Sequence, residues 1–362
     1  MRRIVLVTGA GASHALGRDK KPLPLMPEWS RRLSAAMDAH ETGLSNALGL
    51  KTDSGPEFEQ NLGAFLAWAN DLPLVERFLP LGADRAANWG LQSAVKDWLR
   101  TARGRVPRIT EVLNTSLFKE FGLREVDLNI ATDAYRALFE ILRRDPETVV
   151  FSATTNYDSS FRAAVETIGL RVDVGSRQAV PAGSSVLAPS EMVPWGDANR
   201  VTHVHLHGAV GWYVEQGRIL VDPADREFDS RRVPAVLYPD PDKDPLNASG
   251  WGVHALWDVF RDAVQSATHV IVIGHSLHDQ PLVDVLAGSI KDTPGTPRFA
   301  FCHLPDADAD ADSSPNADAV FDQLRGTRFT TDGNVFMNFV PLEFGRAAAL
   351  HSLDNWLSMG MV

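Results

Sequence analysis

Apolar residues along this chain fall into two rhythms. Short, nearly unbroken aliphatic runs occur at Ile4-Val5-Leu6-Val7, Thr148–Thr155, Val201–Leu206, His269–Gly274 and Arg298–Cys302. Runs of this length bounded by turn residues read as strands buried on both faces, as in parallel sheets. Between them, apolar positions recur at helical spacing over Glu57–Leu62, Asp84–Arg103, Asp133–Arg144, Ser159–Ile168, Trp251–Ala267 and Gln280–Ile290. The third of these closes on Arg143-Arg144-Asp145-Pro146, a cationic last turn followed by proline. Strands alternating with helices predict an α/β fold whose parallel sheet is covered on both faces. Residues 28–145 are mostly helical in pattern and read as an insert into a domain made of 1–27 and 146–345, with 346–362 as a terminal helix. The Pro/Gly/Ser-rich stretch Gly175–Arg200 reads as an extended loop. Asp306–Asp312, with Asp at every second position, lacks the mid-loop glycine and closing glutamate of a calcium loop and reads as a solvated surface loop.

Composition narrows the partners. The 362 residues are 44% hydrophobic and 22% charged, as in ordinary globular proteins. A net charge of −11 repels phosphate backbones and anionic lipid, so neither nucleic acid nor a membrane surface is expected as a direct partner. The single cysteine, Cys302, excludes disulfides and cysteine-built zinc sites. The first apolar run stops at Thr8-Gly9, short of a signal-peptide core, and no stretch approaches the ~20 apolar residues of a membrane span. A cytoplasmic location is expected.

Four short motifs carry chemistry. Gly9-Ala10-Gly11-Ala12-Ser13 follows the first strand. Glycines there allow close approach of a phosphate to backbone N–H groups, or simply a tight turn. The sixth position of the usual dinucleotide pattern is His14 instead of glycine. Thr154-Thr155-Asn156-Tyr157-Asp158 ends the second strand, where ligands of open α/β sheets bind. Asn156 and Asp158 are either polar groups at a pocket floor or helix caps. Thr202-His203-Val204-His205-Leu206-His207-Gly208 places three histidines at period two, on one strand face. With no reinforcing metal motif, no metal is expected. His203 and His205 fit a half-buried strand, and His207 sits at the strand end beside a glycine. Trp212, four residues beyond Gly208, either lines the pocket or packs the core. Finally, Gly274-His275-Ser276-Leu277-His278 follows a strand and precedes a helix. It mimics the nucleophile elbow G-x-S-x-G except at His278. It reads either as a serine-hydrolase elbow or as a second phosphate loop.

In this order the motifs resemble the Sir2 family. Gly9–Ser13 is similar to its G-A-G-x-S, Thr155–Asp158 to its T-x-N-x-D region, His207-Gly208 to its H-G, and Gly274–Leu277 with Pro281 to its G-x-S-L-x-x-x-P. The zinc-binding cysteines and the G-I-P-D-F-R loop of sirtuin deacylases are missing, since residues 16–29 run from Leu16 to Trp29 through Pro22-Leu23-Pro24. The chain therefore looks more like the zinc-free Sir2-like branch of bacterial anti-phage defence, which Phe58-Glu59 and Trp257 also resemble.

That resemblance implies a Rossmann-like fold and an NAD⁺ glycohydrolase that releases nicotinamide and ADP-ribose, with NAD⁺ as substrate and no zinc. Asn156 is expected to orient the attacking water and ribose, and His207 to act as general base. Gly9, Ala10, Gly11, Ala12, Ser13, Thr155, Asp158, Gly274, His275 and Ser276 are expected to hold the dinucleotide. The leaving nicotinamide is neutral and needs no general acid, unlike an ordinary glycoside. Other readings are a non-catalytic NAD or ADP-ribose sensor, and a serine hydrolase using Ser276. Because free NAD⁺ hydrolysis harms the host cell, control is expected through homo-oligomerisation or a separate regulatory protein, such as an ATPase or Argonaute-like subunit.

Overall fold

A computed structural model describes residues 1–18, 21–50, 58, 61–62, 89–178, 185–215, 218–221, 233–236, 254–290, 295–303, 315–331, 337–342, 344 and 350–358. The strands are β1 (Arg3–Thr8), β2 (Val149–Thr154), β3 (Arg171–Asp173), β4 (Ser176–Gln178), β5 (Ser185–Leu187), β6 (Arg200–His205), β7 (Gly208–Glu215), β8 (Arg218–Val221), β9 (Val233–Val236), β10 (His269–Ile273), β11 (Arg298–His303) and β12 (Met337–Pro341). The helices are α1 (Ala10–His14), α2 (Met26–His40), α3 (Leu44–Ala47), α4 (Trp89–Phe121), α5 (Leu128–Leu142), α6 (Ser160–Thr167), α7 (His254–Ser266), α8 (Gln280–Gly288), α9 (Pro315–Leu324), α10 (Arg328–Thr331) and α11 (His351–Ser358).

Seven strands form one parallel sheet in the order β12-β11-β10-β1-β2-β6-β3. Helices cover both faces, so the fold is α/β and Rossmann-like. The aliphatic runs alternate between those faces, as strand geometry requires. Val5, Val7, Phe151, Val204 and Val272 pack with α7 and α8, whereas Ile4, Leu6, Val150, Val201 and Ile271 pack with α5, α6 and α11. β1 is central, and the chain departs from it to β2 on one side and reaches β10 on the other. This reversal of strand order is where open α/β sheets bind ligands, outside the carboxyl ends.

Two readings are corrected here. Gly175–Arg200 is not one extended loop: it supplies β4, β5 and a 3₁₀ turn at Pro189–Glu191. With β7, β8 and β9 they form a second, antiparallel sheet in the order β4-β5-β8-β7-β9. The strands are three or four residues long apart from β7, too short for a clear period-two signal. β12, an edge strand, is likewise absent from the pattern reading. The Asp306–Asp312 segment, Glu57 and residues 251–253 lie outside the described residues.

A third core belongs to the helical region. Trp29, Leu33, Leu113, Leu117 and Phe121 pack with Phe58 and Leu62, and also with Tyr157 and Val236. The Trp29 indole N–H donates to Ser116 Oγ at 3.0 Å, which satisfies the polar end of a fully buried ring. Phe121 meets Tyr157 edge-on at 5.7 Å. The helical core thus abuts the residue next to Asn156.

Candidate active site

The two glycine loops touch. The Gly9 N–H donates to the Ile273 carbonyl at 2.9 Å, and the Gly11 N–H to the Gly274 carbonyl at 2.8 Å. A Cβ on Gly9 would lie 2.7 Å from that Gly274 oxygen, and a Cβ on Gly274, whose φ is +62°, would lie 2.3 Å from the Ala12 nitrogen. Glycine is therefore required at both positions by contact, and at Gly274 also by conformation. The expectation that backbone N–H groups from Gly9 to Ser13 face a phosphate is narrowed. Those of Gly9 and Gly11 are held by carbonyls, and that of Ala12 by Gly9 O at 3.0 Å. The exposed residues of the two loops are Ala10, Gly11, Ser276 and His278.

Asn156 leaves the end of β2 and reaches back to the first loop. Its Nδ2 donates to Gly9 O at 2.8 Å and to Ser13 Oγ at 2.6 Å. The Gly9 carbonyl can only accept, which settles which way the amide points. Both N–H bonds are thereby directed at the protein, and Oδ1 is the atom turned to other partners. Thr155, half-buried, donates its N–H to Thr8 O at 3.2 Å. Asp158 is buried, and its Oδ1 accepts from Ser160 N at 3.0 Å, an Asx turn just ahead of α6, whose N-cap is Ser159. Its Oδ2 has no hydrogen-bond partner among the described residues.

The three histidines divide into two groups. His203 and His205 are fully buried and form a chain: Ser152 Oγ to His203 Nδ1 at 3.1 Å, His203 Nε2 to His205 Nε2 at 3.3 Å, and His205 Nδ1 to the Asn156 carbonyl at 3.1 Å. The carbonyl can only accept, so His205 carries its proton on Nδ1. Burial drives the pKa of His203 well below its ordinary value, and the neighbouring His205 and Arg162 push it the same way. Burial also lowers that of His205, against the opposing pull of Asn156 O and Asp158. Both rings are neutral, so His203 donates from Nε2 and accepts the Ser152 hydroxyl proton at Nδ1. His203 stacks on Phe161 at 4.3 Å, and His205 meets Trp212 edge-on at 5.4 Å. Trp212 is itself buried in the core between sheet and helices, so of its two readings the structure shows packing.

His207 departs from the expected shared face. β6 ends at His205, and His207 turns toward Trp257, at 6.2 Å between ring centres, on the α7 side. The Trp257 indole donates to Leu206 O at 3.1 Å, pinning that turn. His207 Nε2 lies 2.8 Å from Asp279 Oδ2, and both side chains are buried. Pattern reading missed Asp279, because an acid just before Gln280-Pro281 at a helix start looks like a cap. In the structure it sits at the N-cap of α8 but makes no side-chain cap bond. The usable signal was an acid in the same loop as Gly274 and Ser276.

That loop is anchored and strained. Leu277 is buried and has φ +58°, the one positive-φ non-glycine among the described residues. His275 Nδ1 accepts from Leu277 N at 2.8 Å. Burial holds the His275 pKa down to about 4; Asp279 pulls it up, while His207 and His278 push it further down. In a nucleophile elbow the serine itself occupies the strained turn. Here the strain falls on buried Leu277, which disfavours the serine-hydrolase reading of Ser276.

The four motifs close into a ring at the carboxyl edge of the sheet. Asn156 holds Gly9 and Ser13, Gly9 and Gly11 hold Ile273 and Gly274, and Asp279 in the same loop as Gly274 meets His207. Leu206 N returns to Thr154 O at 2.8 Å, two residues before Asn156. Residues 151–323, just under half of the chain, match the family model described as the SIR2-like domain. This part of the chain is similar to SIR2-like domains, which are in general NAD-dependent enzymes. Gly9–Ser13 lies outside the matched stretch, and the contacts above bring it to the same edge. Among curated proteins none matches the chain. No helix among the described residues is long and apolar enough to cross a membrane.

Proposed function

We propose that this protein is an NAD⁺ glycohydrolase. The observation that supports it most is the ring of four motifs, which brings one amide, Asn156, and one imidazole, His207 with Asp279 against its Nε2, to the carboxyl edge of the sheet. In this reading the pyrophosphate lies over Ala10, Gly11, Ser13 and Ser276. Asn156 orients the nicotinamide ribose and a water. The water oxygen attacks the anomeric carbon, the carbon–nitrogen bond breaks, and its electron pair leaves with neutral nicotinamide. His207 takes the water proton, directly or through a ribose hydroxyl. General-base assistance of this kind contributes on the order of 10²–10⁴-fold. Asp158 organises the loop through its turn bond to Ser160 N. The biological role that fits is an anti-phage effector in the cytoplasm, restrained by oligomerisation or by a regulatory protein of the ATPase or Argonaute-like kind until infection.

The test is chromatography of NAD⁺ incubated with purified protein across protein concentrations. Nicotinamide and ADP-ribose are expected in equal amounts, with turnover reduced by on the order of 10²-fold or more in Asn156→Ala and His207→Ala. Full activity in both variants would overturn the site assignment. Tight NAD⁺ binding with no product at any concentration would make the protein a sensor instead.

A further inference from the structure

We infer that Asp279 is a positioning residue for His207, fixing the imidazole with its proton on Nε2 so that Nδ1 is the nitrogen presented to substrate. This rests on the glycohydrolase reading for its consequence, but not for its geometry. Asp279 Oδ2 lies 2.8 Å from His207 Nε2, off the line of an in-plane N–H bond, and the two side chains are only 9% and 6% exposed, so the contact is largely shielded from water. A carboxylate oxygen and a bare ring nitrogen would repel through their lone pairs at that distance, so the proton of a neutral ring belongs on the nitrogen nearer the carboxylate. Asp279 begins α8 without capping it, although an aspartate at that position ordinarily bonds the first turn. Its side chain is turned instead to a residue seventy-two positions earlier in the chain. The face of the ring is set separately, by Trp257 at 6.2 Å, itself tied to Leu206 O.

The same contact has a chemical consequence. As water adds to the anomeric carbon and nicotinamide departs with the bond pair, the proton that Nδ1 accepts makes an imidazolium. The carboxylate 2.8 Å from the other nitrogen stabilises that cation as it forms. Among the described residues, His203 and His205 have no such partner, since their chain ends on a hydroxyl and a carbonyl. Asp279 therefore separates a base from two buried neutral rings on the same segment.

Two measurements test this. In ¹⁵N-histidine-labelled protein, with the His207 signals identified by their loss in His207→Ala, the neutral ring is expected as the Nε2–H tautomer. In Asp279→Asn that tautomer is expected to lose its dominance. In kinetics, Asp279→Asn is expected to lower kcat by on the order of 10²–10⁴-fold with KM within about threefold, and Asp279→Glu to recover at least about tenfold over Asp279→Asn. A wild-type ring protonated on Nδ1 would overturn the inference, as would wild-type kcat in Asp279→Asn. So would an Asp279→Glu variant that recovers nothing, because loop packing would then account for the loss. If Asp279→Asn does not fold, the wild-type tautomer and Asp279→Glu still decide the matter. If wild-type protein releases no nicotinamide, the glycohydrolase reading fails, while the tautomer measurement continues to test the pairing.

Discussion

His205 and His207 stand two residues apart, one inside the sheet and one at its carboxyl edge, and their surroundings differ in kind. The interior ring is joined on both nitrogens to neutral groups, His203 and the Asn156 carbonyl. The edge ring faces a carboxylate on one nitrogen and has left the face that its neighbours share. The difference teaches that burial alone does not make a histidine reactive. Burial among neutral partners makes it a fixed, uncharged spacer, here one that holds the backbone of Asn156. A carboxylate against one nitrogen leaves the other nitrogen of the ring as the one free to face a ligand. The comparison therefore assigns structure to the interior pair and chemistry to the edge.

The sharpest way to break it is to remove each ring in turn. His207→Ala is expected to lower NAD⁺ turnover by on the order of 10²–10⁴-fold, and to cost about 3 kcal/mol of stability by leaving the Asp279 carboxylate without its partner. His203→Ala is expected to cost about 3 kcal/mol as well, through the cavity beneath Phe161 and the orphaning of Ser152 and His205, but to leave the turnover of the folded protein within about tenfold of wild type. Urea unfolding curves read beside nicotinamide release would check both; equal losses of turnover in the two folded variants would erase the distinction.

A smaller effect follows from pH. Burial depresses the His203, His205 and His275 pKa values in the folded state, and to about 4 for His275. The unfolded chain therefore binds protons that the folded protein refuses. The stability these neutral rings allow is complete above the unfolded value of about 6.5 and is lost as pH falls toward the folded value. For His275 alone, going from about pH 7.5 to about pH 5 is expected to cost about 2 kcal/mol, read as a lower denaturation midpoint. A midpoint that rises on acidification would show that these rings are charged in the fold.

The finest probe is Ser152→Ala. It removes the hydroxyl that donates to His203 Nδ1 at 3.1 Å, and is expected to cost about 1 kcal/mol with turnover within about twofold of wild type. A large fall in turnover would extend the chemistry from the edge into the interior chain.

Much of this arrangement was legible in the order of residues. The aliphatic runs that became β1, β2, β6, β10 and β11 are local signals, because a strand buried on both faces needs apolar side chains at every position. Gly9, Gly274, Asn156 and His207 could also be picked out, because each stands just past such a run. What remained hidden depends on neighbours distant in sequence. The short strands β4, β5, β8 and β9 carry too few residues for periodicity, and only pairing makes them a sheet. The Gly9 and Gly11 N–H groups looked available for an anion until the Gly274 loop was placed against them. Asp279 looked like a cap until the sheet order brought its loop across to the end of β6. Sequence alone determined which elements form and which residues stand at their ends, since those depend on side-chain pattern within a few positions. Which of those residues meet, and which of three similar histidines acquires a charged partner, was decided by tertiary structure, because hydrogen bonding and burial are properties of what surrounds a group.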